Sequence, residues 1–189
     1  MRLGRLGGRR NETLWAKVDG AHMMLSLQAL ALTIFAVVMA AAAFEDFRRL
    51  IIPNMLPILL CAAWPLHFAA APSLHGGLMA VGCGLGVFFG GMVLFARGWL
   101  GGGDVKLLSA AALWAGPAGT PALLILTVLL GGLLALFLLI PVGRQLATAA
   151  RVLLGQPPIE AERVWATPIP YGVAIAAAAL IVTLPHHFG

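Results

Sequence analysis

The 189-residue sequence predicts an all-α membrane protein, a polytopic bundle of about six transmembrane helices. Apolar residues make up 61% of it and charged residues 10%, against roughly 45 to 50% and 25% in soluble domains. Charge-free runs cover residues 23–44, 50–96, 107–143 and 164–189, and a spanning helix needs about 20 apolar residues. The runs are apolar on nearly every side, and no ten-residue alternating pattern recurs, so helices are expected rather than a barrel.

The first span is expected over residues 23–44. The run 50–96 is too long for one crossing, and Pro72-Ser73-Leu74-His75-Gly76-Gly77 divides it into spans over 51–71 and 77–96. In the same way Gly116-Pro117-Ala118-Gly119-Thr120-Pro121 divides 107–143 into spans over 104–116 and 121–141. The last span is expected over 169–185. The fourth is short, so Gly101, Gly102 and Gly103 are expected to extend it as irregular backbone beside a watered cavity. On the third span Gly82, Gly86 and Gly90 recur every four residues, a spacing that lets membrane helices pack closely.

Basic residues set the topology. Arg48, Arg49, Arg97, Lys106, Arg144, Arg151 and Arg163 follow the first, third and fifth spans, which places those loops in the cytoplasm. The formal net charge of +5 is therefore an orientation signal, and no nucleic-acid partner is expected. Residues 1–22, with Arg2, Arg5, Arg9, Arg10 and Lys17, oppose this topology. They are read as a basic tail ahead of a six-span domain over 23–189, with the natural start expected at Met23 or Met24. Cys61 and Cys83 have no CxxC neighbour and are read as small buried residues. The five histidines show no ligand spacing within a span, so neither a metal nor a cofactor is expected.

Seven acidic residues allow elimination. Glu12 and Asp19 lie in the tail, and Glu160 and Glu162 lie in a loop with Arg163, where a solvated face explains them. Glu45 and Asp46 end the first span and Asp104 begins the fourth, so all three fall at one membrane boundary. Two carboxylates that meet across a bundle share a proton, one acting as base and the other as acid, which is the chemistry that activates water against a peptide carbonyl. The plainer reading is that each aspartate caps a helix in the headgroup region. Glu45 competes with Asp46, because adjacent helix positions point about 100° apart and only one can face a partner. The glycines before Asp104 permit positive φ or close backbone approach, and a flexible loop is their plainer reading.

Three motifs then carry a resemblance. Asp46-Phe47-Arg48-Arg49-Leu50-Ile51-Ile52-Pro53-Asn54 resembles the acid, basic pair and I-P-N signature of type IV prepilin peptidases. Gly101-Gly102-Gly103-Asp104-Val105-Lys106 is similar to that family's GxGD motif with its D-x-K continuation, and Pro168-Ile169-Pro170-Tyr171-Gly172 resembles the motif opening its last span. The resemblance implies an inner-membrane aspartic protease, active at the cytoplasmic face, that cuts prepilin leaders without a cofactor. It makes Asp46 and Asp104 the catalytic pair and chooses Asp46 over Glu45 by the distance to Ile52-Pro53-Asn54. Lys106, Gly101, Gly103, Pro53, Asn54, Pro170 and Gly172 become supporting positions, Lys106 through the electrostatics near Asp104. The partners it implies are prepilins and pseudopilins, the lipid bilayer and other pilus-assembly proteins. The loop after the first span is short and lacks cysteine, which resembles the peptidases of tight-adherence (Flp) pilus systems and implies no methyltransferase activity.

Three other readings stand beside this one. A small transporter or channel would use Asp104 and Lys106 in an ion path, since broken backbone and glycine also occur there. A presenilin-like protease shares the GxGD motif. A noncatalytic component of a pilus machine would tolerate changes at either aspartate.

Overall fold

The computed structural model describes residues 5–70, 72–156 and 169–184, with the side chains of 5–19 and 21 outside that description. Expectations that concern Pro168, Glu160, Glu162, Arg163, His186 and His187 lie outside the described residues. Helices make up the fold: α1 Arg5–Arg49, α2 Met55–Ala70, α3 Leu74–Ala96, α4 Gly102–Leu139, α5 Pro141–Leu153 and α6 Tyr171–Thr183. Three stretches are long and apolar enough to cross a membrane, namely His22–Arg49, Leu74–Ala96 and Gly102–Leu139, while α2 and α6 are shorter apolar helices.

Helix α4 is two limbs. At Gly116 the backbone adopts φ 63° and ψ −170°, a region that essentially only glycine enters, and the chain reverses there. Pro117 follows as the first residue of the second limb, a position that needs no N–H. The Thr120 hydroxyl donates back to Gly116 O at 2.6 Å and to Ala112 O at 3.3 Å, closing the turn. The expected loop from Gly116 to Pro121 is thus confined to one residue, because proline at the start of a helix helps it rather than breaks it. Counting the limbs separately gives six apolar helical segments among the described residues.

The segments pack antiparallel through small residues. A Cβ at Gly84 would stand 3.3 Å from Leu113 Cβ and from Ser109 O, and one at Gly91 would stand 2.8 Å from Val105, so α3 runs against the first limb of α4. On the second limb Gly119 meets Val182 and Gly131 meets Tyr171, which sets α6 against it. Helix α6 is buried along most of its length by Ala174, Ile175, Ala176, Ala178 and Ala179, and it lies between α1 and α4. Short side chains let backbones approach where lipid supplies no hydrophobic drive between helices.

Two expectations about packing are corrected. Gly82, Gly86 and Gly90 face outward, with nothing within 4 Å of a Cβ added at any of them. The close-packed face of α3 is instead Gly77, Gly84 and Gly91, a seven-residue spacing against Phe68, the first limb and Val105. Cys61 is exposed rather than buried and Cys83 half-buried. Both errors share one cause: in lipid the outer surface is as apolar as the core, as Leu85, Phe89, Ile125 and Val128 also show, so composition does not mark the inward face.

Capping accounts for two further boundary shifts. Ser73 accepts a hydrogen bond from Gly76 N at 3.2 Å, which starts α3 three residues before the expected 77. Gly102 and Gly103 are helical, so only Gly101 is extended, at φ −71° and ψ 145°. The irregular glycine backbone expected before Asp104 is therefore a helix start.

Candidate active site

Asp46 lies in the last turn of α1 and is buried. Its Oδ2 accepts the Gly172 N–H at 2.6 Å, and the Val173 N–H, which bonds to Pro170 O at 3.2 Å, also lies beside the carboxylate. The Gly172 amide belongs to the first turn of α6, whose leading N–H groups have no partner within the helix. Pro170, at the cap position, has no side-chain acceptor, so a carboxylate 126 residues away caps α6 in its place. Glu45 faces elsewhere: it lies 3.4 Å from Arg49 Nε on the same helix in a partly exposed ion pair. The rotation of α1 thereby selects Asp46 as the inward acid.

Asp104 occupies the first turn of α4, three residues after Gly101, and its carboxylate pairs with the Gly101 N–H. This is the reciprocal half of a capping box, in which an acid at the third helical position reaches back to the cap residue. A Cβ at Gly101 would fall 2.6 Å from Asp104 Oδ2, so glycine is needed there for close approach and not for positive φ. Oδ1 of Asp104 is buried and has no hydrogen-bond partner among the described residues. Asp46 and Asp104 lie near enough to interact electrostatically, and they come from different helices. Each aspartate therefore caps a helix, as the plainer reading of the sequence held, and the two caps converge.

Between them sits a side chain of the I-P-N motif to which the sequence alone gives no separate role. Ile52 is 8% exposed; its Cβ lies 3.0 Å from where a Gly103 Cβ would be, and its Cδ1 lies 2.9 Å from the same point at Gly172. One isoleucine thus sets the gap between the starts of α4 and α6. Leu50 turns the chain to deliver it: the residue holds φ 56°, unusual without glycine, while its N–H bonds to Asp46 O at 2.8 Å. Such backbone strain, of order 1–3 kcal/mol, persists only where surrounding packing over-determines it. The signal for both features is the Leu50-Ile51-Ile52-Pro53 run, where proline biases the residue before it away from helix and toward extended backbone.

Lys106 does not turn toward Asp104. Its Nζ donates to Asn54 Oδ1 at 2.8 Å, which ties the segment after Pro53 to the first limb of α4. Beside this pair an apolar cleft of about 560 Å³ opens between α2, α3 and that limb, lined by Pro57, Cys61, Leu85, Phe88 and Leu113 among others. Arg48, Arg49, Arg97, Arg144 and Arg151 all follow helix segments that end on the side of the bundle where the aspartates lie.

A family model described as the type IV leader peptidase family matches residues 33–136, more than half of the chain. This chain belongs to the type IV leader peptidase family. The matched stretch contains Asp46, Ile52, Asn54, Asp104 and Lys106, and it ends within the second limb of α4, ahead of Pro170 and Gly172. No curated protein and no solved structure matches the chain. Membership supports a peptidase, a hydrolase of peptide bonds, set in a helical membrane protein. Among the described residues no group of three or more His, Cys, Asp or Glu side chains is placed to hold a metal ion.

Proposed function

We propose that the chain is a membrane-embedded aspartic endopeptidase that removes the leaders of type IV prepilins of the Flp class at the cytoplasmic membrane face. Asp46 and Asp104 are its catalytic pair. The observation that carries this reading is the convergence of two carboxylates from separate helices at one end of the bundle, one with a buried oxygen that has no partner among the described residues. In the proposed reaction one carboxylate takes a proton from water as it attacks the scissile carbonyl, and the other gives a proton to the departing amine. Gly172 N–H holds Asp46 in place, Gly101 N–H holds Asp104, and Ile52 spaces the two. Lys106, Pro53 and Asn54 act on the loop that carries Ile52 rather than on substrate. The apolar cleft beside Asn54 and Lys106 has the chemistry to hold the substrate's hydrophobic segment. No methyltransferase activity is expected.

A transporter or channel is the second reading, favoured only by the broken backbone at Gly116. No charged side chain lies on α4 from 107 to 115, between the aspartate end and that break, which argues against an ion path through both. The deciding experiment is cleavage of a co-reconstituted Flp-type prepilin by wild type, Asp46→Asn and Asp104→Asn. Loss of cleavage in both variants supports the pair; full cleavage by either removes it. Proton flux in liposomes without cleavage would support transport instead.

A further inference from the structure

Helix α5 was not expected from the sequence and takes no part in the proposed chemistry, yet its three faces differ sharply. Val142, Leu146, Ala149 and Leu153 form one stripe, and Val142, Leu146 and Leu153 are 62%, 58% and 87% exposed. At about 100° per residue, Gly143, Ala147 and Ala150 lie roughly a quarter turn away. This second face is turned to the protein: Gly143 is buried, and Ala147 and Ala150, flanked by the edges of Leu146 and Arg151, line a cleft of about 250 Å³ with Phe47, Leu50 and Pro170. A further quarter turn carries Arg144, Thr148 and Arg151 opposite the apolar stripe; Arg144 and Thr148 are half-buried, and Arg151 lines the cleft with its Nε buried.

A helix with protein at its side, an apolar stripe below and arginines above fits one environment, the boundary between water and lipid. Its position agrees. The preceding limb of α4 leaves Leu133, Leu136 and Leu139 exposed, as expected of a lipid-facing surface, and the extended Ile140 with Pro141 turns the chain out of that limb. No acidic residue occurs from 141 to 156, so anionic headgroups meet only attraction.

We propose that α5 is an in-plane membrane helix, with Val142, Leu146, Ala149 and Leu153 seated in the headgroup and acyl boundary of the leaflet on the aspartate side. Arg144 and Thr148 face water. Because α5 is packed on the second limb of α4 and faces Phe47 and Pro170, the sequence neighbours of Asp46 and Gly172, across a shared cleft, its seating sets the depth of that end of the bundle. The inference does not depend on the peptidase chemistry.

The test uses the full chain with Cys61 and Cys83 replaced by serine, carrying Leu146→Cys, Leu153→Cys or Thr148→Cys labelled with an environment-sensitive fluorophore. Reconstitution is into vesicles containing lipids spin-labelled near the headgroup, with iodide as the aqueous quencher. Labels at 146 and 153 are expected to shift to the blue, to be quenched by the lipid and to resist iodide; the label at 148 should be quenched by iodide. Equal iodide quenching at all three positions would place α5 in water and overturn the proposal. Protection of 146 and 153 from both quenchers would mean that protein covers the stripe, which overturns it equally.

Discussion

The two ends of the bundle are held together differently. At the aspartate end, contact is made by glycine and by backbone: Gly101, Gly103 and Gly172 let Asp104, Ile52 and Asp46 approach closely, and amides of two helix starts bond to carboxylates. At the opposite end large rings fill the space. Trp114 packs on Phe35 with ring centroids 4.8 Å apart and on His67 at 5.0 Å, and its Nε1 donates to Leu60 O at 2.9 Å. A cavity of about 320 Å³ remains there, lined by Trp64, His67, Phe68, Gly116 and Thr183 among others. The first end fixes carboxylates through backbone amides; the second, where Gly77 and Gly119 are also closely packed, supplies adhesion between rings and accepts a gap. Substitutions should therefore separate, with losses of activity at one end and losses of stability at the other.

The largest effect is expected at the carboxylates. Asp46→Asn or Asp104→Asn should lower the cleavage rate by about 10²-fold or more, the usual share of acid–base catalysis, with thermal unfolding in detergent little changed. The asparagine oxygen can still accept the Gly172 N–H, so folding is not the route of loss. Next comes Gly172→Ala, whose Cβ would stand 2.9 Å from Asp46 and from Ile52. Overpacking of this kind costs about 1–3 kcal/mol, and the displaced Asp46 should make the fall in kcat larger than the loss of stability accounts for. At the far end Gly116→Ala should cost about 1–3 kcal/mol because alanine is strained at φ 63° and ψ −170°, while protein that remains folded keeps its kcat. A normal melting temperature for that variant would break the comparison. The smallest effect on cleavage is expected of Trp114→Phe, which removes one N–H donor and part of a buried ring and should cost about 1–3 kcal/mol of stability without changing cleavage.

Legibility followed chemistry rather than geometry. The aspartates were readable because ionisable residues are scarce in an apolar chain and expensive within a membrane, so each one that remains asks for a reason. Helix existence was readable from charge-free length. The turn at Gly116 was readable as a break but not as a single residue, since Pro117 begins a helix as readily as it ends one. The α3 packing face was misread, because every side of that helix is apolar and glycine occurs on several of them. Helix α5 is hidden in the sequence although its stripe at 142, 146, 149 and 153 is present, because Arg144 and Arg151 are equally the mark of a cytoplasmic loop.

By itself the sequence determined an all-α membrane bundle, the ends at which its charges collect, and a short list of carboxylates. These follow from transfer energies, which depend on residue type and run length. Tertiary structure gave the physical reason for the choice of Asp46 over Glu45 that the motif resemblance implies, and it alone decided that Lys106 bonds to Asn54 and not to Asp104 and that Ile52 stands between the two helix starts. Those outcomes depend on helix rotation and on contacts between residues 50 to 126 positions apart, and no local pattern encodes either.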